Sequence, residues 1–291
     1  MAGGRWYTPS PEQEAVAAAL FEIREAQGIS QARAAKECGM RAPQLSEIET
    51  GTRPVAEDEL VLLLRLLKVR QGKAEQLMTL RGVGVDTKTE WFARYDRPAD
   101  DEGLSAKLKY VMRAEERAEV IFTSQEQYMP ALLQTKGYAT ELLKNLGNAD
   151  ATLQEAIEIR VGRQEAFFKP WRKKPEMRFH AIISESVLRK GSREVLGEQL
   201  EHLLGLQRDS YIECRVMPET VLVHVLGFVL MDFSFGRSIG YADGGLNELD
   251  IANMRAAKSL KDMRTRYAVY SGMALSPDES ANLIEKYQKG L

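Results

Sequence analysis

Three closely spaced glycines place the strongest constraint on how the start of this chain folds. Gly28, Gly39 and Gly51 are separated by eleven and twelve residues, and each follows a run of small or apolar residues at helical spacing. Glycine commonly ends helices because it adopts the left-handed backbone region at little cost. The spacing therefore predicts short helices in quick succession, without a convincing strand.

The second and third of these helices have the features of a helix-turn-helix. Ser30 is a typical N-cap for the second helix, and Ala34 and Ala35 keep its inner face small enough for a close helix crossing. On the third helix, Leu45 and Ile48 lie on one face and can pin the helix to its neighbours. The opposite face is then free to enter the major groove of DNA.

The free face of the third helix carries the residues that we expect to contact DNA. These short and mostly polar side chains are of the kind that reads base edges or grips phosphates. Glu47 would repel a phosphate, so it is better placed against a cytosine amino group. The predicted set is Arg41, Ala42, Gln44, Ser46 and Glu47.

The chain is expected to contain two domains of different class. Residues 1–82 are predicted to form an all-α five-helix domain, residues 83–89 a linker, and residues 90–291 a mixed α+β regulatory and dimerisation domain. The predicted fold class is therefore α+β overall. In the second domain the periodicity predicts helices over 104–118, 130–146, 150–168, 193–207, 249–266 and 277–289, and strands over 119–123, 177–184, 211–217, 228–233 and 238–241.

The N-terminal pattern resembles the Cro/repressor-type, or xenobiotic-response-element, helix-turn-helix family over about 70 residues. The resemblance implies that Gln31 and Arg53 touch phosphates and that Glu49 is mainly structural. It also implies that residues 42, 43, 44 and 46 face the groove. The matching residues are Ser30-Gln31, Ala35, Gly39, Leu45-Ser46, Ile48-Glu49, Gly51 and Arg53-Pro54.

Two residues depart from the pattern of that family. Arg41 stands where a capping Ser or Thr is usual, and Pro43 removes an amide donor from the first turn of the third helix. Neither change should break the helix, because the first amides of a helix have no partner within it.

The rest of the chain resembles the domain of unknown function that follows such helix-turn-helix units in actinobacterial WhiJ-like regulators. The resemblance implies a transcriptional regulator, often encoded beside a small acidic or antitoxin-like partner protein. From the residues alone, Arg160 with Gln164 and Glu185 with Arg189 fit a polar ligand site or, more often, a buried structural ion pair or a solvated face. The main matching segments are Met129-Pro130-Ala131-Leu132-Leu133-Gln134-Thr135 and the helical group Arg160, Arg163 and Gln164.

Net charge gives no independent support for DNA binding. The chain has 40 basic and 42 acidic side chains, and residues 1–82 carry 11 of each. A neutral unit binds DNA weakly unless its charges are segregated, so we expect a homodimer that sums two half-sites on double-stranded DNA. The alternative is an antitoxin-like protein that uses its helical hairpin mainly to bind a partner protein.

Several classes of function lack support in the sequence. There is no phosphate-binding loop, nucleophile elbow or complete dinucleotide fingerprint, so neither catalysis nor a cofactor is predicted. His180, His202 and His224 are not at metal-ligand spacing, which argues against a metal site. Without a membrane-length apolar run or a signal peptide, we expect a cytoplasmic, nucleoid-associated protein with Cys38 and Cys214 reduced.

The second domain leaves two questions open. Its Met and aromatic side chains fit either a small-molecule effector pocket or, more simply, an ordinary core: Tyr128, Met129, Phe167, Phe168, Trp171, Phe179, Phe228, Met231 and Phe235. Two apolar helix stripes, each of which could equally face its own core, are candidates for the dimer contact: Ile157, Val161 and Phe168, or Leu249, Met254 and Leu260.

Overall fold

The computed structural model of the chain describes residues 9–83, 90–95, 106–148, 150–171, 176–209, 211–242 and 257–291. Its contacts divide the chain into two units, Met1–Ala114 and Glu115–Leu291. The predicted fold class is confirmed, because an all-helical N-terminal part precedes a part that mixes helices with a sheet. Most of the predicted linker lies outside the described residues, so its bounds stay a prediction.

Five helices open the first unit, and their starts follow from local chemistry. The Ser10 hydroxyl accepts a hydrogen bond from the Gln13 amide, and Pro11 occupies the first position of the first helix. Ser30 caps the second helix by accepting from the Arg33 amide. The helices are α1 (Pro11–Ala26), α2 (Gln31–Glu37), α3 (Ala42–Glu49), α4 (Glu57–Leu66) and α5 (Gln71–Gly82).

The core of these helices is apolar and closely packed. Ala34 and Ala35 are at most 1% exposed, so the small inner face predicted for α2 lies against its neighbours. A 3-10 turn (Trp91–Tyr95) and a further helix, α6 (Ala106–Arg117), follow along the chain. The largest buried side chains around the alanines are Val16, Leu20, Leu45, Ile48, Leu60, Leu63, Leu67 and Leu77.

Gly39 and Lys68 are two of the turn residues in the first unit that have a left-handed backbone. Gly39 has φ +69°, which ends α2 and lets the chain turn into α3. Lys68 has φ +47° at the end of α4, where glycine would be the easier residue. Contacts around the α4–α5 turn therefore hold Lys68 in a backbone conformation that a residue with a side chain disfavours.

The described strands of the second unit form one five-stranded sheet with the order β3-β2-β1-β4-β5. β1 pairs in parallel with β2, and β2 with β3, while β4 runs antiparallel to both β1 and β5. The last two predicted strands are therefore confirmed, and they pair with each other as a hairpin. The strands are β1 (Val120–Gln125), β2 (Arg178–Ser184), β3 (Ile212–Met217), β4 (Phe228–Asp232) and β5 (Ser238–Ala242).

Helices cover both faces of this sheet. On one face, the Phe167 ring of α8 packs against Phe179 of β2, with ring centroids 5.7 Å apart. On the other face, Tyr267 of α10 packs against Phe122 of β1 at 5.0 Å. The helices are α7 (Lys136–Asn145), α8 (Asp150–Trp171), α9 (Arg193–Leu206), α10 (Ala257–Met273) and α11 (Pro277–Lys289).

Two predicted helices of the second unit differ from those observed. The stretch 130–146 is split into a 3-10 turn (Ala131–Leu133) and α7, because Thr135 lies in extended backbone and caps α7 through the Tyr138 amide. The helix predicted over 249–266 is described only from Ala257 and continues to Met273. Its predicted first half lies outside the described residues.

Candidate nucleic-acid interface

Helix α3 has one buried face and one face open to solvent. Leu45 and Ile48 are at most 1% exposed and hold the helix in the core. Arg41, Ala42 and Glu47 are exposed, while Gln44 and Ser46 are half-buried. The residues that we predicted to contact DNA on α3 therefore lie together on its outer side and at its start.

Gln44 also caps α3. Its Oε1 accepts a hydrogen bond from the Arg41 amide at 2.9 Å and lies 3.4 Å from Arg41 Nε. A Gln three residues after the N-cap is the sequence signal for this contact, which gives the amide of the N-cap residue a side-chain partner. The carboxamide oxygen of Gln44 is thus occupied in the free protein, which leaves its amide nitrogen as the group for recognition.

A buried ion pair fixes the end of α3 against α1. Arg24 donates from Nε to Glu49 Oε1 at 2.6 Å and from Nη2 to Glu49 Oε2 at 2.8 Å. The two side chains are 4% and 2% exposed. Hydrogen bonding to Glu49 raises the pKa of the Arg24 guanidinium, although its burial acts in the opposite direction. The position where the family resemblance implies a structural acid therefore holds a bidentate, desolvated carboxylate.

Gln31 connects this buried pair to the surface. Its Nε2 donates to Glu49 Oε2 at 2.9 Å, so the same carboxylate oxygen accepts from both Arg24 and Gln31. Gln31 is half-buried at the first position of α2. The side chain that we expect to touch a phosphate is therefore already oriented by the core.

Arg53 lies between two carboxylates just beyond α3. Its Nη2 donates to Glu59 Oε1 at 2.8 Å, its Nε is 3.8 Å from Glu47 Oε2, and its side chain is 29% exposed. Burial alone would raise the pKa of Glu59, but hydrogen bonds from Arg53 and the Ala56 amide lower it overall. A phosphate contact by Arg53 therefore has to compete with Glu59.

In the second unit, the polar residues of the segments that carry the family resemblance form structural hydrogen bonds. Gln134 is fully buried, donates to the Met129 carbonyl at 2.7 Å and accepts from Arg160 Nη1 at 3.0 Å. Gln164 donates to the carbonyls of Ala131 and Gln134 at 3.0 and 2.6 Å. Of the interpretations left open for Arg160 with Gln164, the geometry supports a structural role, because both side chains form hydrogen bonds with the 131–134 segment.

Gln199 of α9 holds the same segment from another side. Its Oε1 accepts from the Thr135 amide at 2.7 Å and its Nε2 donates to the Leu133 carbonyl at 2.8 Å. Nearby, Arg163 and Glu115 form an ion pair at 2.6 Å, with side chains 9% and 4% exposed. The two hydrogen bonds of Gln199 satisfy backbone groups of Leu133 and Thr135.

Comparison with protein-family models gives two matches. Residues 20–70 match a model described as helix-turn-helix, and residues 108–286 match the domain of unknown function DUF5753. The second match covers more than half of the chain. The chain belongs to the DUF5753 family. No curated protein matches it. The first match supports the Cro/repressor-type resemblance and a DNA-binding transcription regulator, while the WhiJ-like assignment stays a prediction.

In this DUF5753 chain, Glu185 and Arg189 both contact Glu219, through its amide and its side chain respectively. Glu185 accepts from the Tyr287 hydroxyl at 2.8 Å and from the Glu219 amide at 3.0 Å. Arg189 forms an ion pair with the side chain of Glu219. The two residues thus tie the 3-10 turn after β2 to α11 and to the end of β3.

Most of the aromatic and Met set of the DUF5753 domain lies in its core. Five members are at most 3% exposed: Met129, Phe167, Phe179, Phe228 and Met231. Tyr128 lines a small cavity of about 130 Å³ together with Tyr138, Glu141 and Lys190. The ordinary-core interpretation therefore holds for those five side chains.

Histidine and cysteine side chains of the DUF5753 chain show no metal-binding arrangement in the described residues. His180 stacks on Phe122, and burial lowers its pKa. Cys38 and Cys214 are free thiols, and burial raises the pKa of Cys214 to about 12. Within the described ranges, no helix combines the length and apolar character needed to cross a membrane.

Proposed function

We propose that this protein is a sequence-specific transcriptional regulator that binds double-stranded DNA through α3. The observation that carries the proposal is the Arg24–Glu49 ion pair, which anchors α3 while its outer face stays open. A recognition element held by buried contacts places its side chains precisely, as base readout requires. The helix-turn-helix match over residues 20–70 supports the same function.

The contacts of the free protein suggest distinct roles for the predicted DNA-binding residues. Gln44 reads a base by donation from Nε2, because its Oε1 caps α3. Such a donor suits the acceptor atoms of the major-groove edge of guanine, or N7 of adenine. Gln31 and Arg53 contact phosphates, and Arg41, Ala42, Ser46 and Glu47 complete the surface that faces the groove.

Binding of DNA requires two copies in this proposal, because the N-terminal domain carries no net charge. Of the predicted dimer stripes, Ile157 is 4% exposed and faces its own core, and Leu249 and Met254 lie outside the described residues. On α10, by contrast, Val269 and Met273 are 47% and 46% exposed one turn apart. We therefore place the homodimer contact on this outer side of α10, where large apolar side chains face water.

The second domain receives a signal in this proposal, from a partner protein or a small molecule. The cavity beside Tyr128 has about 130 Å³, below the roughly 300 Å³ at which ligand pockets begin. A partner protein, such as one encoded nearby, is therefore the better supported source of the signal. The protein acts in the cytoplasm, on the nucleoid, according to the same proposal.

Selection from a random duplex pool tests the proposed function directly. The full-length protein should enrich a duplex with two related half-sites, and log K for that duplex should fall linearly with log salt. A Glu49→Ala variant should lose enrichment, because α3 loses its anchor. Recovery of random sequences by the intact protein would contradict the proposal.

A further inference from the structure

An open apolar groove lies between α4 and α5, and no residue of α3 lines it. Its volume is about 550 Å³. Leu64 is 6% exposed at its floor, while Val61, Val69, Ala74 and Met78 are half-buried along it. These five apolar side chains lie on α4, on α5 and in the turn between them, and an apolar groove between two helices is a form that accepts an amphipathic helix.

The rim of this groove is basic. Arg65 and Lys68 line the groove and are exposed, and residues 60–74 contain no acidic residue. Among residues 9–83, Glu75 is the acidic side chain lining the groove, and Gln71 donates to it at 2.9 Å. In the described part of the chain, no carboxylate forms an ion pair with Arg65 or Lys68. The excess positive charge of the rim is therefore available to a partner.

The turn that carries Lys68 supports a role for this rim. Lys68 keeps φ +47°, a conformation that costs free energy for a side chain other than glycine. The turn is closed by hydrogen bonds from the Lys68 amide to the Arg65 carbonyl at 3.1 Å and from the Val69 amide to the Leu64 carbonyl at 3.0 Å. A cation is thus kept at the groove where a glycine would fit more easily.

We propose that this groove binds an acidic amphipathic helix of a partner protein. A second copy of this chain in a symmetric contact would bring Arg65 and Lys68 of both copies together, which charge repulsion opposes. DNA would satisfy the cations but would leave the apolar floor without a partner. An acidic helix with an apolar face satisfies both features, and its binding does not depend on DNA.

Display selection on the full-length protein tests the chemistry of the occupant. The probe is a library of 16-residue helical peptides with randomised side chains. Enriched peptides should carry a net negative charge and apolar residues at i, i+3, i+4 and i+7. Enrichment of neutral or basic peptides, or of none, would overturn the proposal.

Variants of the rim and floor then locate the binding site. Arg65→Gln combined with Lys68→Asn should weaken the best selected peptide at least tenfold at low salt and less at high salt, since Asn also tolerates the left-handed turn. Met78→Gln should weaken it at every salt concentration. Lys107→Gln, which removes an exposed cation of α6, is the matched control and should leave the affinity unchanged.

If DNA or a second copy of the chain occupied the groove instead, the same variants would give different results. If the Arg65→Gln/Lys68→Asn pair reduces random-duplex affinity and the salt slope while peptide affinity is unchanged, the rim contacts DNA and the proposal is wrong. If Met78→Gln alters the molecular mass in light scattering, the groove binds a second copy. Peptide binding by a protein that selects no duplex would support the groove and contradict the proposed DNA-binding function, so the two failures are distinguishable.

Discussion

The two units contain similar buried polar networks that are connected to their surfaces in different ways. In the N-terminal unit, the Arg24–Glu49 pair continues through Gln31 to the face that we expect to meet DNA. In the second unit, Gln134 and Gln199 bond to backbone groups of the 129–135 segment. Polar residues at helical spacing look alike in both sequences. Only the partners distinguish a network that supports a recognition surface from one that completes the fold.

The comparison predicts the largest effect for Glu49→Ala. The variant leaves the buried Arg24 guanidinium with the exposed Glu25 carboxylate and the Ile29 carbonyl as its remaining partners, which should lower the free energy of unfolding by about 3 kcal/mol. Chemical denaturation measures the loss. The double variant Arg24→Met/Glu49→Leu removes both charges and should recover most of the stability. A loss below about 1 kcal/mol for the single variant would show that the pair does not anchor α3.

Charges on the outer side of α10 should break the proposed dimer. Val269→Asp combined with Met273→Asp places two carboxylates where apolar side chains would be buried, so the dimer should weaken at least a hundredfold, about 3 kcal/mol. Analytical ultracentrifugation measures this, and DNA binding should fall to that of a single half-site. Lys261→Asp is an exposed control on the same helix. A dimer that survives the double variant would exclude this surface.

Gln199→Leu tests the other side of the comparison. It leaves the buried Thr135 amide and Leu133 carbonyl without their side-chain partner, which should cost about 1–3 kcal/mol of stability. Affinity for the selected duplex should stay the same for the folded fraction. Gln154→Leu, at an exposed position of α8, should cost less than about 0.5 kcal/mol. Specific loss of DNA affinity without loss of stability would show that the glutamines serve recognition.

Local signals in the sequence made much of this fold predictable, whereas contacts between residues far apart in the sequence could not be predicted. The sequence pattern predicts the third helix over about residues 42–50, and it is observed over Ala42–Glu49, because the buried Leu45 and Ile48 and the glycine after the helix are signals within a few positions. Strands followed from apolar runs bounded by polar segments. The partner of Arg24 lies 25 residues away, and nothing near it in the sequence identifies Glu49. The Thr135 cap that divides the predicted helix 130–146 is likewise supported by Gln199, 64 residues away.

Gln44 separates helix capping from base recognition. Gln44→Ala should cost about 1–3 kcal/mol on the preferred duplex and relax base preference there, and it also removes the α3 cap. Gln44→Glu keeps an oxygen for the Arg41 amide but removes the donor, so it should lose recognition while α3 remains capped. Fluorescence anisotropy on duplexes with each base at the site measures both. If both variants kept the affinity and the base preference of the unaltered protein, Gln44 would be excluded from base readout.

The smallest effect is expected for Arg53, because its guanidinium is already paired before DNA arrives. Arg53→Ala removes one phosphate contact, so it should weaken all sequences alike and reduce the salt slope by about one unit. Glu59→Gln keeps the bond to the Ala56 amide but removes the competing charge, and it should strengthen binding in the same sequence-independent way. Titrations of specific and random duplexes at several salt concentrations distinguish these effects. If Arg53→Ala instead reduced discrimination with an unchanged slope, Arg53 would contact a base, and Glu59 would orient it rather than compete with the phosphate.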